Sequence, residues 1–233
     1  AGDVQGAETL SFDDSGWQGI TVPHDFQISQ PWVAPEKGEK ADNSDIASNV
    51  KSRLSSRGFK EMGIGWYRNS FTPDPSWKGR RVLVDFEGIM LVGDVYLNGE
   101  HIGGTDYGYL GFDVDISKNL KYGETNVIVV KANTQRPENS RWYTGGGLYR
   151  DVTLIVTDPQ QYFTRHPLYI TTPEVSEKQA IVMVQAEMAC YLKVEKLKVG
   201  TKVTDADGNV VYEATKDIPF NRGQKINEYL VDS

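Results

Sequence analysis

The sequence is poor in the residues that build disulfide frameworks and metal centres. Cys190 is the only cysteine among the 233 residues, which excludes an internal disulfide and a zinc or redox site of the Cys-x-x-Cys type. The three histidines, His24, His101 and His166, stand far apart and form no HExxH or HxH pattern. We therefore expect each histidine to be a hydrogen-bonding residue of a loop or the core, and we expect no cofactor in this chain.

Long apolar runs and positive charge are also scarce. No apolar stretch approaches the roughly 20 residues that a membrane span needs, and residues 1–9 lack the basic and apolar regions of a signal peptide. Acidic residues number 32 against 25 basic ones, which gives a net charge of -7. This balance favours neither nucleic acid nor an anionic membrane as a partner. A neutral or weakly polar ligand fits the composition better.

The hydrophobic pattern predicts an all-β protein, because short β-rich runs bounded by Gly, Asn, Asp and Pro recur and helical periodicity is nearly absent. Between two such runs, Asn98-Gly99 offers the two positive-φ residues of a type I′ turn and predicts a hairpin that presents Tyr96 and Leu97 to the core. The spacing is typical of a β-sandwich. The predicted strands of this first series are residues 66–71, 81–86, 90–97, 112–116, 126–132 and 151–157.

A second β-rich series predicts a second domain. Asp158-Pro159 ends the last strand of the first series, and residues 168–171, 180–188 and 192–204 are again typical of strands. We expect a domain of residues 1–157 and another of residues 158–233. The second has about 75 residues where an immunoglobulin-like sandwich takes roughly 100. We therefore expect it to lack its last strands, in a chain that is a fragment of a longer protein.

Two acidic pairs invite chemical interpretations. Asp85 and Glu87 are two apart on a predicted strand and share a face at a spacing open to an inverting glycosidase. Such pairs are common on the polar face of a sheet, so we expect both to be solvated or to cap turns. Asp205 and Asp207 begin a calcium-loop pattern whose closing position carries no acidic residue, which favours a simple turn between strands.

Residues 33–63 differ from the rest in being rich in Lys, Glu, Asp, Ser and Asn. This composition predicts a long surface loop. Such a loop is either a lid or rim of a site or an inert insertion, and its residues do not decide between the two.

A polar and aromatic segment at residues 137–147 is the strongest candidate for ligand binding. Sugar recognition needs planar hydrogen-bond donors for hydroxyl groups and an apolar ring for the C–H face of a pyranose. The alternative is that the aromatic rings anchor a loop while the arginine pairs with an acid. The glycines at 145–147 fit no nucleotide fingerprint, so we expect them to provide positive φ or close backbone approach. The candidate sugar-binding residues are Asn139, Ser140, Arg141, Trp142 and Tyr143.

An ordered set of motifs resembles glycoside hydrolase family 2, β-galactosidase-like. The similarity to the sugar-binding N-terminal domain of that family covers roughly residues 12–156, and from residue 162 the chain resembles the start of the family's immunoglobulin-like second domain. The resemblance implies a jelly-roll-like, galactose-binding-type β-sandwich followed by an incomplete immunoglobulin-like β-sandwich. The motifs are Val22-Pro23-His24-Asp25-Phe26, Gly63-Ile64-Gly65-Trp66-Tyr67-Arg68, Phe86-Glu87-Gly88, Val95-Tyr96-Leu97-Asn98-Gly99 and Gly145-Gly146-Gly147-Leu148-Tyr149-Arg150-Asp151-Val152.

The resemblance also implies a function. Family members hydrolyse a terminal β-linked sugar with retention, using two glutamates on a downstream barrel, so this chain is expected to be inactive alone. It is expected to brace that barrel and, through residues 139–143, to help shape the terminal-sugar pocket. A β-galactoside is the favoured substrate, with a β-glucuronide or β-mannoside as alternatives. The implied partners are carbohydrate and the chain's own barrel, in an exported bacterial protein that forms homo-oligomers.

A second hypothesis comes from a different class of protein. The same sandwich architecture serves free-standing carbohydrate-binding or adhesion modules, for which the chain alone would bind sugar. The two hypotheses differ in whether the gene product continues for several hundred residues.

Overall fold

The computed structural model describes residues 2–33, 60–135, 144–192, 195–219 and 226–232. Over these residues the protein is all-β, as predicted, with twelve strands and two 3₁₀ helices at Phe26–Ser29 and Pro75–Trp77. No helix within these ranges is long and apolar enough to cross a membrane. The chain forms two compact units, Ala1–Val156 and Thr157–Ser233.

The first unit contains two sheets. One has four antiparallel strands in the order β1-β6-β3-β4, and the other has three strands in the order β5-β2-β7. The strands are β1 (Ile64–Phe71), β2 (Arg81–Phe86), β3 (Val92–Leu97), β4 (Glu100–Thr105), β5 (Phe112–Asp115), β6 (Asn126–Asn133) and β7 (Val152–Thr157).

Apolar side chains from both sheets form one core. β2 contributes Val82, Val84 and Phe86, which alternate along the strand because successive side chains point to opposite faces. β3 contributes Val95 and Leu97 from the other sheet. The shared core makes this unit a β-sandwich, as predicted.

The hairpin between β3 and β4 confirms the predicted turn. Asn98 has φ 55° and Gly99 has φ 89°, as a type I′ turn requires. Leu97 is fully buried in the core, but Tyr96 lies on the opposite face, where its ring centroid is 5.2 Å from that of His101. The prediction that both residues face the core is therefore wrong, since neighbours on a strand cannot share a face.

Arg68 holds the N-terminal segment against the outer face of the four-stranded sheet. Its side chain is 4% exposed, and its Nε lies 2.9 Å from Oδ2 of Asp14. One of its terminal nitrogens donates to the carbonyls of Ala7 and Thr9. The guanidinium also lies 5.3 Å from the ring of Phe12. The Trp-Tyr-Arg motif therefore places Arg68 outside the sandwich and its neighbour Tyr67 against the core.

The second unit also contains two sheets, with strand orders β12-β9-β8 and β10-β11. Among the described residues of this unit, Ala186, Met188, Val199 and Ile218 form a core cluster. The assignment of residues 158–233 as an incomplete immunoglobulin-like domain stays a prediction. The strands are β8 (Gln161–Val175), β9 (Ala180–Cys190), β10 (Lys196–Thr204), β11 (Val210–Pro219) and β12 (Ile226–Asp232).

The turn between β10 and β11 is closed by Asp205. Its Oδ1 accepts from the backbone N–H of Asp207 at 3.0 Å and of Asn209 at 2.8 Å. Its Oδ2 accepts from Nδ2 of Asn209 at 3.0 Å. These bonds make the carboxylate a turn-closing group, as the simpler interpretation predicted.

Candidate functional site

The predicted sugar-binding residues Asn139, Ser140, Arg141, Trp142 and Tyr143 lie outside the described residues. So does most of the predicted loop at 33–63, of which the structure describes residues 33 and 60–63. The structure does describe residues 144–150, which directly follow the five predicted sugar-binding residues. We call residues 144–150 the base of the candidate site.

Residues 146–148 are joined to the segment that leads into the first 3₁₀ helix. The backbone N–H of His24 donates to the carbonyl of Leu148 at 2.7 Å, and that of Phe26 donates to the carbonyl of Gly146 at 3.0 Å. In return, the N–H of Gly146 donates to Oδ1 of Asp25 at 2.9 Å. Oδ1 of Asp25 also caps the helix by accepting from the N–H of Gln27 at 2.9 Å. One carboxylate thus ties two chain segments together.

Met90 holds Gly147, on the opposite edge of the base from Asp25. Its N–H donates to the carbonyl of Gly147 and its carbonyl accepts from the N–H of Gly147, both at 2.9 Å. The pair forms an isolated antiparallel bridge outside the two sheets. The base of the candidate segment is therefore hydrogen-bonded along both edges.

The glycines at this base allow positive φ and close backbone approach, as predicted. Gly147 has φ 110°, and a Cβ on it would stand 2.0 Å from the hydroxyl of Tyr67. A Cβ on Gly146 would stand 2.8 Å from Cγ2 of Thr134. Gly145 has φ 75°, a value at which only glycine is free of strain.

Tyr67 supports the base from the core side. Its hydroxyl lies 3.1 Å from Nδ1 of His24, and the two rings meet edge to face with centroids 5.7 Å apart. Burial raises the pKa of the Tyr67 hydroxyl above its ordinary value, an effect that outweighs its hydrogen bonds. The hydroxyl is therefore uncharged at neutral pH. His24 is a hydrogen-bonding residue, as predicted.

A groove of about 1210 Å³ opens beside this support. Its lining mixes polar and apolar side chains. It includes Trp17 and Ile20 together with His24, Tyr67 and Leu148, which belong to or support the base. The groove is therefore lined in part by the same residues that hold the base.

The acidic pair on β2 differs from its prediction. Asp85, on the middle strand of its sheet, is 7% exposed, whereas Glu87 follows the strand and is exposed. We expected both to be solvated or to cap turns, and Asp85 is not solvated, whereas a capping role for it stays a prediction. The other acidic and histidine residues form no group of three that could hold a metal ion within the described residues.

The structure also contributes residues that the sequence did not single out. Met90 lay inside a predicted strand, yet the strand begins at Val92 and Met90 bridges to Gly147 instead. Tyr107 and Tyr109 lie on an exposed loop that reaches the same edge of the sandwich through Gly108 and Met90. The exposure of these tyrosines is a property of the fold, which local sequence patterns do not show.

Comparison with known proteins gives a consistent result. Residues 13–159 match the family model described as glycosyl hydrolases family 2, sugar binding domain. A β-galactosidase of Bacteroides ovatus is 30% identical over 226 residues, which are 97% of this chain and 25% of that protein. A β-glucuronidase of Formosa agariphila is 29% identical over 242 residues, covering 94% of this chain and 23% of that protein.

The fold is also found among solved structures. A glycosyl hydrolase family 2 member from Bacteroides cellulosilyticus matches with a TM-score of 0.78 and 30% identity, covering 100% of this chain and 29% of that one. The chain therefore spans less than a third of the length of each of these relatives.

Proposed function

Because the chain belongs to glycosyl hydrolases family 2, we propose that it is the non-catalytic, sugar-recognising region of a retaining exo-β-glycosidase. In this proposal it braces a catalytic barrel that another part of the protein supplies. Its loops complete the pocket for the non-reducing terminal sugar. The observation that carries the proposal is the hydrogen-bonded base at residues 146–148, which immediately follows the candidate residues within the matched domain.

The geometry of that base suits a recognition role. A loop that binds a neutral ligand loses less conformational entropy when its ends are already fixed. Here Asp25 and Met90 fix the end at residues 146 and 147 through three hydrogen bonds to and from its backbone. In this proposal Arg141 supplies a planar donor and Trp142 an apolar ring for the sugar.

The favoured substrate class is a β-galactoside. Relatives named β-galactosidase and β-glucuronidase resemble the chain almost equally, at 30% and 29% identity. The net charge of -7 supports the neutral sugar, since it does not attract the carboxylate of a glucuronide. The same proposal places the protein outside the cytoplasm, as a homo-oligomer.

The test is hydrolysis of chromogenic β-galactoside, β-glucuronide and β-mannoside by this chain and by the full gene product, side by side. We expect the full product alone to be active, with the galactoside as its best substrate. In that product, Tyr143→Ala is expected to raise KM, and the matched variant Tyr169→Ala, on an exposed position of β8, is expected to leave KM unchanged.

Two other outcomes would contradict the proposed accessory role. Hydrolysis by the chain itself would contradict the accessory role and return attention to Asp85 and Glu87. Sugar binding by the chain, with a gene product that has no hydrolase activity, would support the free-standing binding module instead.

A further inference from the structure

A loop between β4 and β5 displays two exposed tyrosines. Tyr107 is 54% exposed, Tyr109 is 45% exposed, and Leu110 beside them is 66% exposed. The ring centroids of the two tyrosines are 5.7 Å apart, with the rings tilted by 56°. Residues 106–111 are called the tyrosine loop below.

Local hydrogen bonds hold the tyrosine loop in one conformation. Oγ1 of Thr105 accepts from the N–H of Tyr107 at 3.2 Å and donates to the carbonyl of Tyr107 at 3.1 Å. The hydroxyl of Tyr149 donates to the carbonyl of Gly108 at 2.8 Å. Exposed aromatic rings on a fixed backbone are typical of recognition surfaces, because little entropy is lost when a ligand covers them.

The tyrosine loop is continuous with the base of the candidate site. A Cβ on Gly108 would stand 2.6 Å from Sδ of Met90 and 3.1 Å from the carbonyl oxygen of Ile89, so the glycine lets the loop lie close against these two residues. Met90 in turn exchanges two backbone hydrogen bonds with Gly147. The two features therefore share one edge of the sandwich within the first unit.

We propose that the tyrosine loop is a second carbohydrate contact, which binds a neutral sugar unit beyond the terminal one. A tyrosine offers an apolar ring face for the C–H groups of a pyranose and a hydroxyl for its polar edge. Asp106 stands next to Tyr107, and the net charge of the protein is -7, so a neutral glycan suits the loop better than an acidic one. The inference rests on the proposed function in that the chain recognises carbohydrate.

The experiment is an isothermal titration of the 233-residue chain with β-1,4-galactotetraose, repeated with Tyr107→Ala and Tyr109→Ala. Each loss of a ring is expected to weaken binding by about tenfold. Tyr169→Ala is the matched control, because Tyr169 is 65% exposed but lies on β8 of the second unit. We expect it to bind like the unchanged chain, and all three variants to keep the same melting temperature, since the replaced rings are exposed.

Tyr143→Ala separates this inference from the proposed function. If Tyr143→Ala abolishes binding while both loop variants bind normally, the tyrosine loop is not a sugar contact, although the proposed function stands. No binding of the tetrasaccharide to the unchanged chain would also overturn the inference, whereas hydrolysis by the full gene product judges the proposed function separately. Tighter binding of a glucuronate-containing hyaluronan tetrasaccharide would overturn the preference for a neutral glycan.

Discussion

The two units of the chain bury very different amounts of apolar surface. Among the described residues, the core of the first unit contains thirteen buried side chains, whereas that of the second contains four. On β8 in the second unit, Leu168, Tyr169 and Ile170 follow one another with exposures of 55%, 65% and 57%. Since apolar burial is the main favourable term in folding, the first unit has the larger internal source of stability.

The comparison matters for function because the candidate site and the tyrosine loop both belong to the unit with the larger core. Loops can hold a fixed shape only where the elements beneath them do not open readily. The second unit has fewer buried contacts among the described residues, and we expect it to open at lower free energy. The difference between the units is therefore best tested by pairs of substitutions, one in each unit, at residues of a similar kind.

The largest difference is expected between two phenylalanines. Phe86 on β2 is 1% exposed, whereas Phe163 on β8 is 49% exposed. Phe86→Ala should lower the free energy of unfolding of the first unit by about 3–5 kcal/mol, because it leaves a cavity in a packed core. Phe163→Ala should change the stability of the second unit by less than about 0.5 kcal/mol.

Urea unfolding followed by hydrogen exchange resolves the two units separately. Equal losses for the two variants would contradict the difference in burial. A large loss for Phe163→Ala would show that β8 packs more tightly than its exposure indicates.

Two glycines with positive φ provide the next test. Gly147 in the first unit has φ 110° and would place a Cβ 2.0 Å from the hydroxyl of Tyr67. Gly208 in the second unit has φ 87° and nothing within 4 Å of such a Cβ. Gly147→Ala should therefore cost about 3 kcal/mol or more, and Gly208→Ala about 1 kcal/mol from the backbone alone.

Thermal melting measures both changes. Adding Tyr67→Phe to Gly147→Ala removes the hydroxyl that the new methyl group meets, so the double variant should recover part of the loss. If it recovers nothing, the backbone strain at Gly147 is the whole cost and the close approach of Tyr67 is irrelevant.

A turn residue of the first unit and one of the second also differ in how closely they are held. In the first unit, Nδ2 of Asn98 donates to Oδ1 of Asn126 at 2.9 Å and to the carbonyl of Asn119 at 3.3 Å. Asn98→Asp replaces this donor by an acceptor that faces two other acceptors, which should cost about 2 kcal/mol. In the second unit, Asp207→Asn lies in an exposed turn and should change stability by less than about 0.5 kcal/mol.

Chemical denaturation at pH 7 compares the two variants. A small effect of Asn98→Asp would mean that water replaces Asn126 and Asn119 as partners, and that the turn is less closed than its hydrogen bonds indicate.

Local patterns predicted the first unit well because its strands are short β-rich runs bounded by turn-forming residues. The prediction for β2, residues 81–86, agrees with the strand Arg81–Phe86. For β8 the prediction covered residues 168–171, whereas the strand extends over Gln161–Val175. Pro167 and Pro173 were typical of strand breaks, but each falls where the register with β9 shifts, and β8 is an edge strand, which tolerates proline at such irregularities.

The base of the candidate site could not be predicted in the same way. Asp25 and Gly146 are 121 residues apart, and no periodicity specifies a hydrogen bond over that separation. The motif around Asp25 indicated the family, but the role of its carboxylate as a tie between segments appears only once both segments are folded. The exposure of Tyr107 and Tyr109 is likewise set by tertiary packing.

The smallest expected effects concern two exposed carboxylates, one in each unit. Hydrogen bonds from the side chain and backbone of Ser76 lower the pKa of Asp74, and hydrogen bonds from the side chain and backbone of Asn209 lower the pKa of Asp205. Because each pKa is lower in the folded protein, each carboxylate stabilises its turn above the ordinary pKa of an aspartate, and this contribution is lost as the pH falls through the lowered value.

Carbon-detected NMR titration of the carboxyl groups gives both values in one sample. Ser76→Ala should raise the pKa of Asp74 without changing that of Asp205, and Asn209→Ala should do the reverse. If the first unit is the more rigid, its backbone bond should survive the loss of the side-chain partner, and the pKa of Asp74 should stay below its ordinary value in Ser76→Ala. A full return to the ordinary value in both variants would show that the rigidity of the core does not extend to its turns, and the contrast between the units would then be confined to their interiors.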